Sequence, residues 1–393
     1  MRSEIVAPIV FLMILTLSTV LRLYFYYQNS KQYFQYEHIE GYILSHPFNK
    51  DGFQNFQVKS INIKTGVFPK YRLGDYVVII AKNNGSTNSV YYPKIEVQEN
   101  RNLLILNKIS IYRENLIFKA KRNLPEPYAG LILGMTMGYR DDFPHDFLDL
   151  LKRTGTIHII VVSGYNVAIV ILFISSVFTF FGRKINLLFV IISVLAFACL
   201  AGLDPPVVRA SIMGLIAVIG TFSGNSRMSL YVLYITLLIM LLINPSYLFD
   251  IGFQLSGVAT GTVILASMIT TEVTFSSVVF VNSFVNLALI PPISYYFGTI
   301  SLISLVSNLM ILWIVPFVTF GGFVFFVFPI FVIKVFLVFL IDFYIVITKA
   351  LGSLEFASID YRFSVAYIFT YYLVLFFIYL FIFKWKRYLN ESN

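Results

Sequence analysis

Four groups of polar residues interrupt long apolar stretches of this 393-residue chain. A polar or charged side chain in such a run is costly unless it faces a bundle interior, water or a partner. The first group lies between Gly155 and Val167 and holds His158, Ser163 and Asn166. The second, Gly202 to Ser211, places Arg209 about one turn past Pro205-Pro206 and five residues after Asp204. The third, Asn244 to Gly257, sets Asp250 and Gln254 four apart, on one helix face. The fourth has Asn282 and Asn286, also four apart, then Pro291-Pro292, and beyond them Ser304, Ser307 and Asn308. The groups on offer are amides, hydroxyls and one permanently charged guanidinium. Such a set suits a path for a polar or anionic solute, and prolines at membrane depth mark discontinuous helices around such paths. Each member also has a plainer reading. His158, Ser163 and Asn166 would hydrogen-bond between helices. Arg209 would snorkel or pair with Asp204 or Asp250. Asp250 would be the carboxylate of a helix N-terminus, and the prolines would make a kink.

No catalytic signature competes with these readings. The sequence holds no HExxH, no CxxC and no P-loop lysine motif, and its four histidines, His38, His46, His145 and His158, are scattered. His158 and Ser163 lie five apart, about 140° around one helix, so they cannot act as a base and nucleophile unless that helix breaks. The single cysteine, Cys199, excludes an intrachain disulfide and a cysteine-based metal site. No metal, cofactor or enzymatic activity is expected.

The elements that must position these residues follow from composition. The chain is 58% hydrophobic and 12% charged, against about 25% charged in soluble domains. Thirteen charged residues lie between Thr154 and Phe383, too few for the shell of a soluble core. The pattern predicts a polytopic α-helical membrane protein with about ten spans, at 5–27, 157–181, 185–203, 206–222, 228–243, 247–269, 275–297, 316–333, 335–351 and 363–384. Residues 301–315 are short and polar at their start, which fits a re-entrant segment. A short amphipathic helix with Pro144 as its first residue runs to Arg153 and fits the membrane interface. In the ten-span count Arg183-Lys184, Arg227, Lys334, Lys384, Lys386 and Arg387 share one side. That side is expected to be cytoplasmic, with both termini inside; Lys152 and Arg153 lie against the rule. Localisation is thus a cytoplasmic (inner) membrane.

Residues 31–127 differ. They carry 14 basic and 8 acidic residues, so the excess positive charge sits mainly outside the lipid. Short runs at 41–44, 56–59, 75–80 and 94–97 read as strands between Gly, Asn, Asp and Pro. They predict a small all-β, OB-like domain on the extracytoplasmic side, followed by a helix over 103–123. The organisation is then an N-terminal anchor (1–30), the β domain with its linking helix (31–127) and a multi-helix domain (128–393). Lys59, Lys64, Lys70, Arg72, Lys82 and Lys94 interleave with Phe56, Phe68, Tyr71, Tyr76, Tyr91 and Tyr92. A single-stranded nucleic acid needs that mixture of cations and stacking rings, and any basic β domain also shows it.

Together the motifs resemble the ComEC family of competence proteins. Leu131 to Arg140, Thr154 to His158 and Val162-Ser163-Gly164-Tyr165-Asn166-Val167 look like its first motif. Val207 to Met213, Phe249 to Ser256 and Ser301 to Asn308 look like the next three, in the same order, and Tyr71-Arg72-Leu73-Gly74-Asp75 is similar to its OB-like domain. The resemblance covers roughly residues 128–330. It implies a channel that passes one DNA strand through the cytoplasmic membrane, with Arg209, His158, Ser163, Asn166, Asp250, Gln254, Asn282, Asn286 and Asn308 along the path. Expected partners are single-stranded DNA and membrane lipids, with a DNA receptor, a cytoplasmic helicase, a separate nuclease and a second copy of the chain as further candidates. Two departures are noted: Asn166 stands where the family usually has a second His, and the metallo-β-lactamase-like domain of many members is not expected here. A transporter or flippase for an anionic small molecule or lipid, or an assembly scaffold, remains as an alternative.

Overall fold

A computed structural model of the chain describes residues 13–27, 38–50, 52–58, 61–80, 89–139, 143–160, 164–222, 229–270 and 274–392. Ser163, Arg227, Lys59 and Lys82 lie outside the described residues. An apolar helix, α1 (Met13–Tyr27), comes first. Seven strands follow: β1 (His38–Tyr42), β2 (Phe48–Lys50), β3 (Phe53–Val58), β4 (Ile61–Thr65), β5 (Tyr76–Ile80), β6 (Ser89–Tyr91) and β7 (Lys94–Val97). Side chains alternate across a strand, and the inward set of β1 and β3 joins the buried cluster of Ile39, Ile43, Phe56, Val58, Ile63, Tyr71, Val77 and Ile79.

The strands pair into two sheets, β1-β5-β7 and β2-β3-β4-β6. β7 pairs with β5 and β5 with β1, both antiparallel. β2 pairs with β3 and β3 with β4, again antiparallel, and β4 pairs with β6 in parallel. The chain passes between the sheets from β1 to β2, over residues 43–47, and from β6 to β7 through Tyr92-Pro93.

Helix α2 (Leu104–Asn123) leads to the membrane part, within one residue of its expected start. α3 (Tyr128–Met137) is buried along nearly all its length and forms the centre of the main core. α4 (His145–Arg153) seats Phe147 and Leu151 in the same core, with Phe143 just before it. α5 (Ile157–Ile160), α6 (Gly164–Phe178), α7 (Arg183–Ala201), α8 (Pro205–Phe222), α9 (Ser229–Ile243), α10 (Ile251–Ile269) and α11 (Phe275–Phe297) follow. A two-strand ladder, β8 (Thr299–Ser301) with β9 (Ser358–Asp360), brackets α12 (Ser304–Ile311), α13 (Val315–Val327) and α14 (Phe331–Gly352); α15 (Val365–Ser392) is last.

The protein is a mostly helical membrane protein. Among the described residues seven helical runs are long and apolar enough to cross a bilayer: 164–181, 183–201, 251–269, 275–297, 304–327, 331–352 and 365–385. Met13–Tyr27, Pro205–Ile219 and Leu230–Ile243 are shorter apolar helices. α15 buries none of its apolar window and exposes Phe369, Phe376, Phe377 and Phe381. Only lipid makes that exposure cheap.

Two boundaries differ from the sequence reading. Residues 301–315 are no separate piece: α12 continues through 312–314 into α13, one 24-residue run from Ser304 to Val327. The break expected at Lys334 falls at Phe328-Pro329-Ile330 instead. Pro329 lacks an N–H for the preceding turn and disfavours helical backbone at Phe328, so α13 ends before it, whereas a lysine in the first turn of α14 can reach the membrane surface along its flexible stem.

Candidate functional site

The guanidinium of Arg209 is where three helices meet. α8 starts at the proline pair, whose missing N–H groups cost nothing in a first turn, and Arg209 follows one turn later with 6% of its surface exposed. Its Nη1 donates to the Ser256 carbonyl and the Thr260 hydroxyl on α10. A side chain at Gly164, the first residue of α6, would come within 3.2 Å of Arg209 Nη2 and 3.1 Å of Ala210. Both hydrogen-bond partners are neutral, and Nε is buried without one. Among the described residues no ion pair joins Arg209 to a carboxylate. Asp250 caps α10 instead, its Oδ1 accepting from the Phe253 N–H at 2.8 Å, which is the plainer of the two readings open from sequence. A buried cation with neutral partners keeps most of its field, so this position favours an anion.

The asparagines form a ladder between α11 and α12. Asn286 Nδ2 donates to both the carbonyl and the Oδ1 of Asn282 at 2.9 Å. Asn308 Nδ2 stands 3.5 Å from Asn286 Oδ1, and its own Oδ1 is buried without a partner. Gln254 accepts from the Tyr296 hydroxyl at 2.6 Å, which ties α10 to α11, and donates to the Leu248 carbonyl at 2.8 Å. α11 is not discontinuous at Pro291-Pro292, as the sequence reading had expected of a permeation path; it runs through both. The prolines remove the donors that would serve the carbonyls of Leu287 and Ala288. Tyr371 and Tyr372 of α15 supply them, at 3.0 and 2.8 Å. Sequence reasoning missed this pair; the adjacent Pro-Pro and Tyr-Tyr doublets are the signal it left.

The first motif braces the same assembly. Gly155 has a positive φ of 70°, and a side chain there would meet Ser304 at 2.6 Å. Ser301 donates to the Arg153 carbonyl at 2.6 Å. His158 Nδ1 lies 2.9 Å from the Gly155 carbonyl. Asn166 is buried, donates to the Met135 carbonyl at 2.6 Å, and has an Oδ1 without a partner. The four motifs thus close a ring of contacts: Gly164 on Arg209, Arg209 on Ser256, Gln254 on Tyr296, Asn286 on Asn308, and Ser304 back on Gly155.

The β domain divides the residues expected to bind nucleic acid. Tyr71 is no stacking surface: it is buried, its ring 5.3 Å from that of Phe56 in the core of the β domain. Arg72 is committed to Glu114 of α2 through two hydrogen bonds of 3.2 Å. Buried Asp75 accepts from the Arg72 N–H at 2.7 Å and from the Asn107 amide at 2.6 Å; burial raises its pKa above the usual carboxylate value, against those bonds. Gly74, at φ 92°, leaves no room for a side chain beside Leu103 and Leu106. Tyr71 to Asp75 therefore bolts α2 to the β domain. Tyr76 is half-buried against Tyr42 at 4.9 Å, with Arg101 over its ring at 5.1 Å. What stays outward is a cross-strand row, Asn55, Lys64 and Tyr91 on β3, β4 and β6, with Lys64 Nζ 5.0 Å from the Tyr91 ring centroid. Phe68, Tyr92 and Lys70 are exposed nearby in sequence or on the same sheet end, Tyr92 against Phe53 at 5.3 Å.

One histidine joins the β domain to the membrane helices. His46, between β1 and β2, has Nε2 3.1 Å from the Cys199 carbonyl near the end of α7. Gly202, at φ 105°, gives its ring space: a side chain there would sit 3.1 Å from His46 Cδ2. Burial lowers the imidazole pKa to about 3, aided by the charge of Arg113 and opposed by the bond to Cys199. Arg113 of α2 donates to the Met137 carbonyl at 3.2 Å. Among the described residues no three His, Cys, Asp or Glu side chains gather where they could hold a metal ion.

Comparison with known proteins places these features in context. The family described as Competence protein matches residues 135–386. A protein named ComE operon protein 3, from Bacillus subtilis (strain 168), is 27% identical over 200 residues, half of this chain and 26% of that protein. An uncharacterized protein of Aquifex aeolicus (strain VF5) is 31% identical over 148 residues, 37% of this chain and 35% of that protein. The matched regions thus span about a quarter to a third of these relatives' lengths. No solved structure matches the chain.

Proposed function

The chain belongs to the competence protein family, and from that premise we propose that it is the channel through which single-stranded DNA enters the cell during natural transformation. The observation that carries this reading is the closed ring of the four motifs, with Arg209 buried in it and bonded only to neutral oxygens. A phosphodiester backbone has one charge per nucleotide, and a cation whose field is not spent on a carboxylate attracts it more strongly than a carboxylate-paired one would. The amides of Asn282, Asn286, Asn308 and Gln254 offer neutral hydrogen bonds, which suits a polymer that must bind weakly enough to move on.

On this proposal the bundle has ten spans with both termini cytoplasmic, and α3 and α4 pack within it. The helix contacts agree with the directions this proposal gives its spans. Gly155 lies on Ser304 and Gly352 on Leu150, so the starts of the 157–178 and 304–327 runs share one face with the end of α14. Arg183-Lys184 and Lys334 then share the opposite face, where the positive-inside rule wants them. The β domain is extracytoplasmic. Its two small sheets, with a parallel β4–β6 pairing, fit an OB-like barrel, and the Asn55–Lys64–Tyr91 row lies on the strand face such barrels use for single strands. A DNA receptor outside and a helicase inside would feed and pull the strand, and another protein would degrade its complement, since we assign no nuclease chemistry to this chain.

The test is Arg209→Gln in a transformable host. Uptake should be lost while the protein still accumulates in the membrane and DNA still binds the cell surface. Recovery of uptake on adding Asp204→Asn or Asp250→Asn would make the arginine a structural partner and sink the reading.

A further inference from the structure

α14 is long and apolar enough to cross a bilayer, yet it has a carboxylate at its middle. The helix has 22 residues, from Phe331 to Gly352, which is about 33 Å against a hydrocarbon core of about 30 Å. Asp342 lies about 16 Å from either end at 1.5 Å per residue. Its side chain is exposed, on the same stripe of the helix as Val335, Phe339 and Val346, each more than half exposed. Among the described residues no ion pair includes Asp342. What it has is the Tyr128 hydroxyl, which donates to its Oδ1 at 2.6 Å.

That bond brings charged chain beside the middle of α14. Tyr128 opens α3, and every later residue of α3 is buried, so the core fixes where it stands. The elbow from α2 to α3, Leu124 to Pro127, comes immediately before it. Glu126 is two residues from Tyr128, at most about 7 Å of chain. It is exposed, accepts from the Gly130 N–H at 3.0 Å and pairs with Lys121 at 3.5 Å. Lys119 and Arg122, near the end of α2, are exposed too. Hydrocarbon does not hold a lone carboxylate beside an exposed ion pair. Charges within a span face water, a cavity or one another.

We propose that a water-filled recess, bounded by α14 and the α2–α3 elbow and entered from the side that bears the β domain, reaches Asp342 at the middle of the span. α2 sets the direction, because Arg72 and Asp75 tie it to the β domain while Leu116, Ala120 and Leu124 join the membrane core. The carboxylate then faces water and small dissolved ions, at a place that shares no residue with the ring of contacts around Arg209.

The experiment labels single cysteines in the full chain, in a Cys199→Ala background, with a charged thiol reagent that cannot cross the membrane. It is applied separately to right-side-out and inside-out vesicles. Lys70→Cys, exposed on the β domain, reports which side is which. Phe376→Cys, exposed and midway along α15, is the reference for lipid at mid-span. From the side that labels Lys70→Cys, Asp342→Cys should react about seventyfold faster than Phe376→Cys, since the reacting thiolate is a charge that hydrocarbon disfavours by about that factor. Glu126→Cys, which leaves the Tyr128–Asp342 bond intact, should do the same. Failure of either to outpace Phe376→Cys, or reaction from the opposite side alone, would overturn the proposal. Because the readout is labelling, with the side set by Lys70→Cys, the outcome does not depend on whether the chain conducts DNA.

Discussion

Lowering pH should loosen the β domain from the membrane helices, and His46 should be the cause. Docked, its imidazole is held near pKa 3 instead of its ordinary 6.5. The groups facing it are Arg113 of α2, whose charge opposes protonation, and the Cys199 carbonyl and Gly202 backbone at the end of α7. Undocked, the ring would return to about 6.5. A base whose pKa falls on docking is bound most tightly when neutral. Docking is therefore at full strength above pH about 6.5, weakens as pH falls, and stops weakening below about 3. The slope is about 1.4 kcal/mol per pH unit, so pH 5.5 should cost about 1.4 kcal/mol, a tenfold shift toward the undocked state. The ring is not wholly enclosed, so about half that slope is a reasonable lower figure. The assay is the distance distribution between spin labels at Tyr91 and Leu188, in a Cys199→Ala background that keeps the carbonyl. Between pH 7.5 and 5.5 the wild-type distribution should broaden toward longer distances. His46→Gln keeps an N–H donor for Cys199 but cannot take up the proton, so its distribution should stay constant. An equal pH response in both proteins would refute the argument.

Other outcomes follow from the same contacts. Glu114→Ala should free Arg72 and detach α2 from the strands, lowering the melting midpoint of the β domain by an amount equivalent to about 1 kcal/mol, read by circular dichroism, because the pair is half exposed. Tyr91→Ala with Lys64→Gln should weaken oligonucleotide binding at low salt and flatten its salt dependence by about one charge, measured by fluorescence anisotropy on the full chain; Tyr71→Phe, in the core, should leave both unchanged. The purified chain should leave DNA intact with Mg²⁺ or Mn²⁺ present, and cleavage abolished by His158→Ala would contradict that expectation.

The sequence announced the elements whose signal is local. The helix expected over 103–123, the amphipathic α4 and the apolar helices were visible because a run of apolar residues or a 3.6-residue period needs no partner to be read. The β domain was visible as short strands, but their partners were not, since β1 pairs with β5 and β4 with β6 across long stretches of sequence. The face proposed for nucleic acid was blurred for a related reason. Lysines and tyrosines interleave by type, yet the side on which each ring falls depends on strand register, and Tyr71 lies in a turn whose direction Asp75 and Asn107 set. The candidate path was legible as a list of residues. Its geometry was not, because the neutral partners of Arg209 lie about fifty residues away on α10 and carry no charge to mark them.

The proline pair shows most directly what a sequence can state and still withhold. Pro291 and Pro292 announce two orphaned carbonyls, and in lipid an orphaned carbonyl must find a donor. The donors sit 84 residues later, on Tyr371 and Tyr372 of an otherwise lipid-exposed helix. If the tyrosines serve the carbonyls that the prolines abandon, the two doublets should be coupled. Tyr372→Phe alone leaves the Ala288 carbonyl bare and should cost about 1 kcal/mol. Pro292→Ala restores an N–H that can reach the same carbonyl within α11. In that background Tyr372→Phe should cost little, so the double-mutant cycle should give a coupling of about 1 kcal/mol, measured by thermal unfolding in detergent. A coupling of zero would mean that the tyrosine stabilises α15 by packing alone, and α15 would then be held against α11 without regard to the prolines.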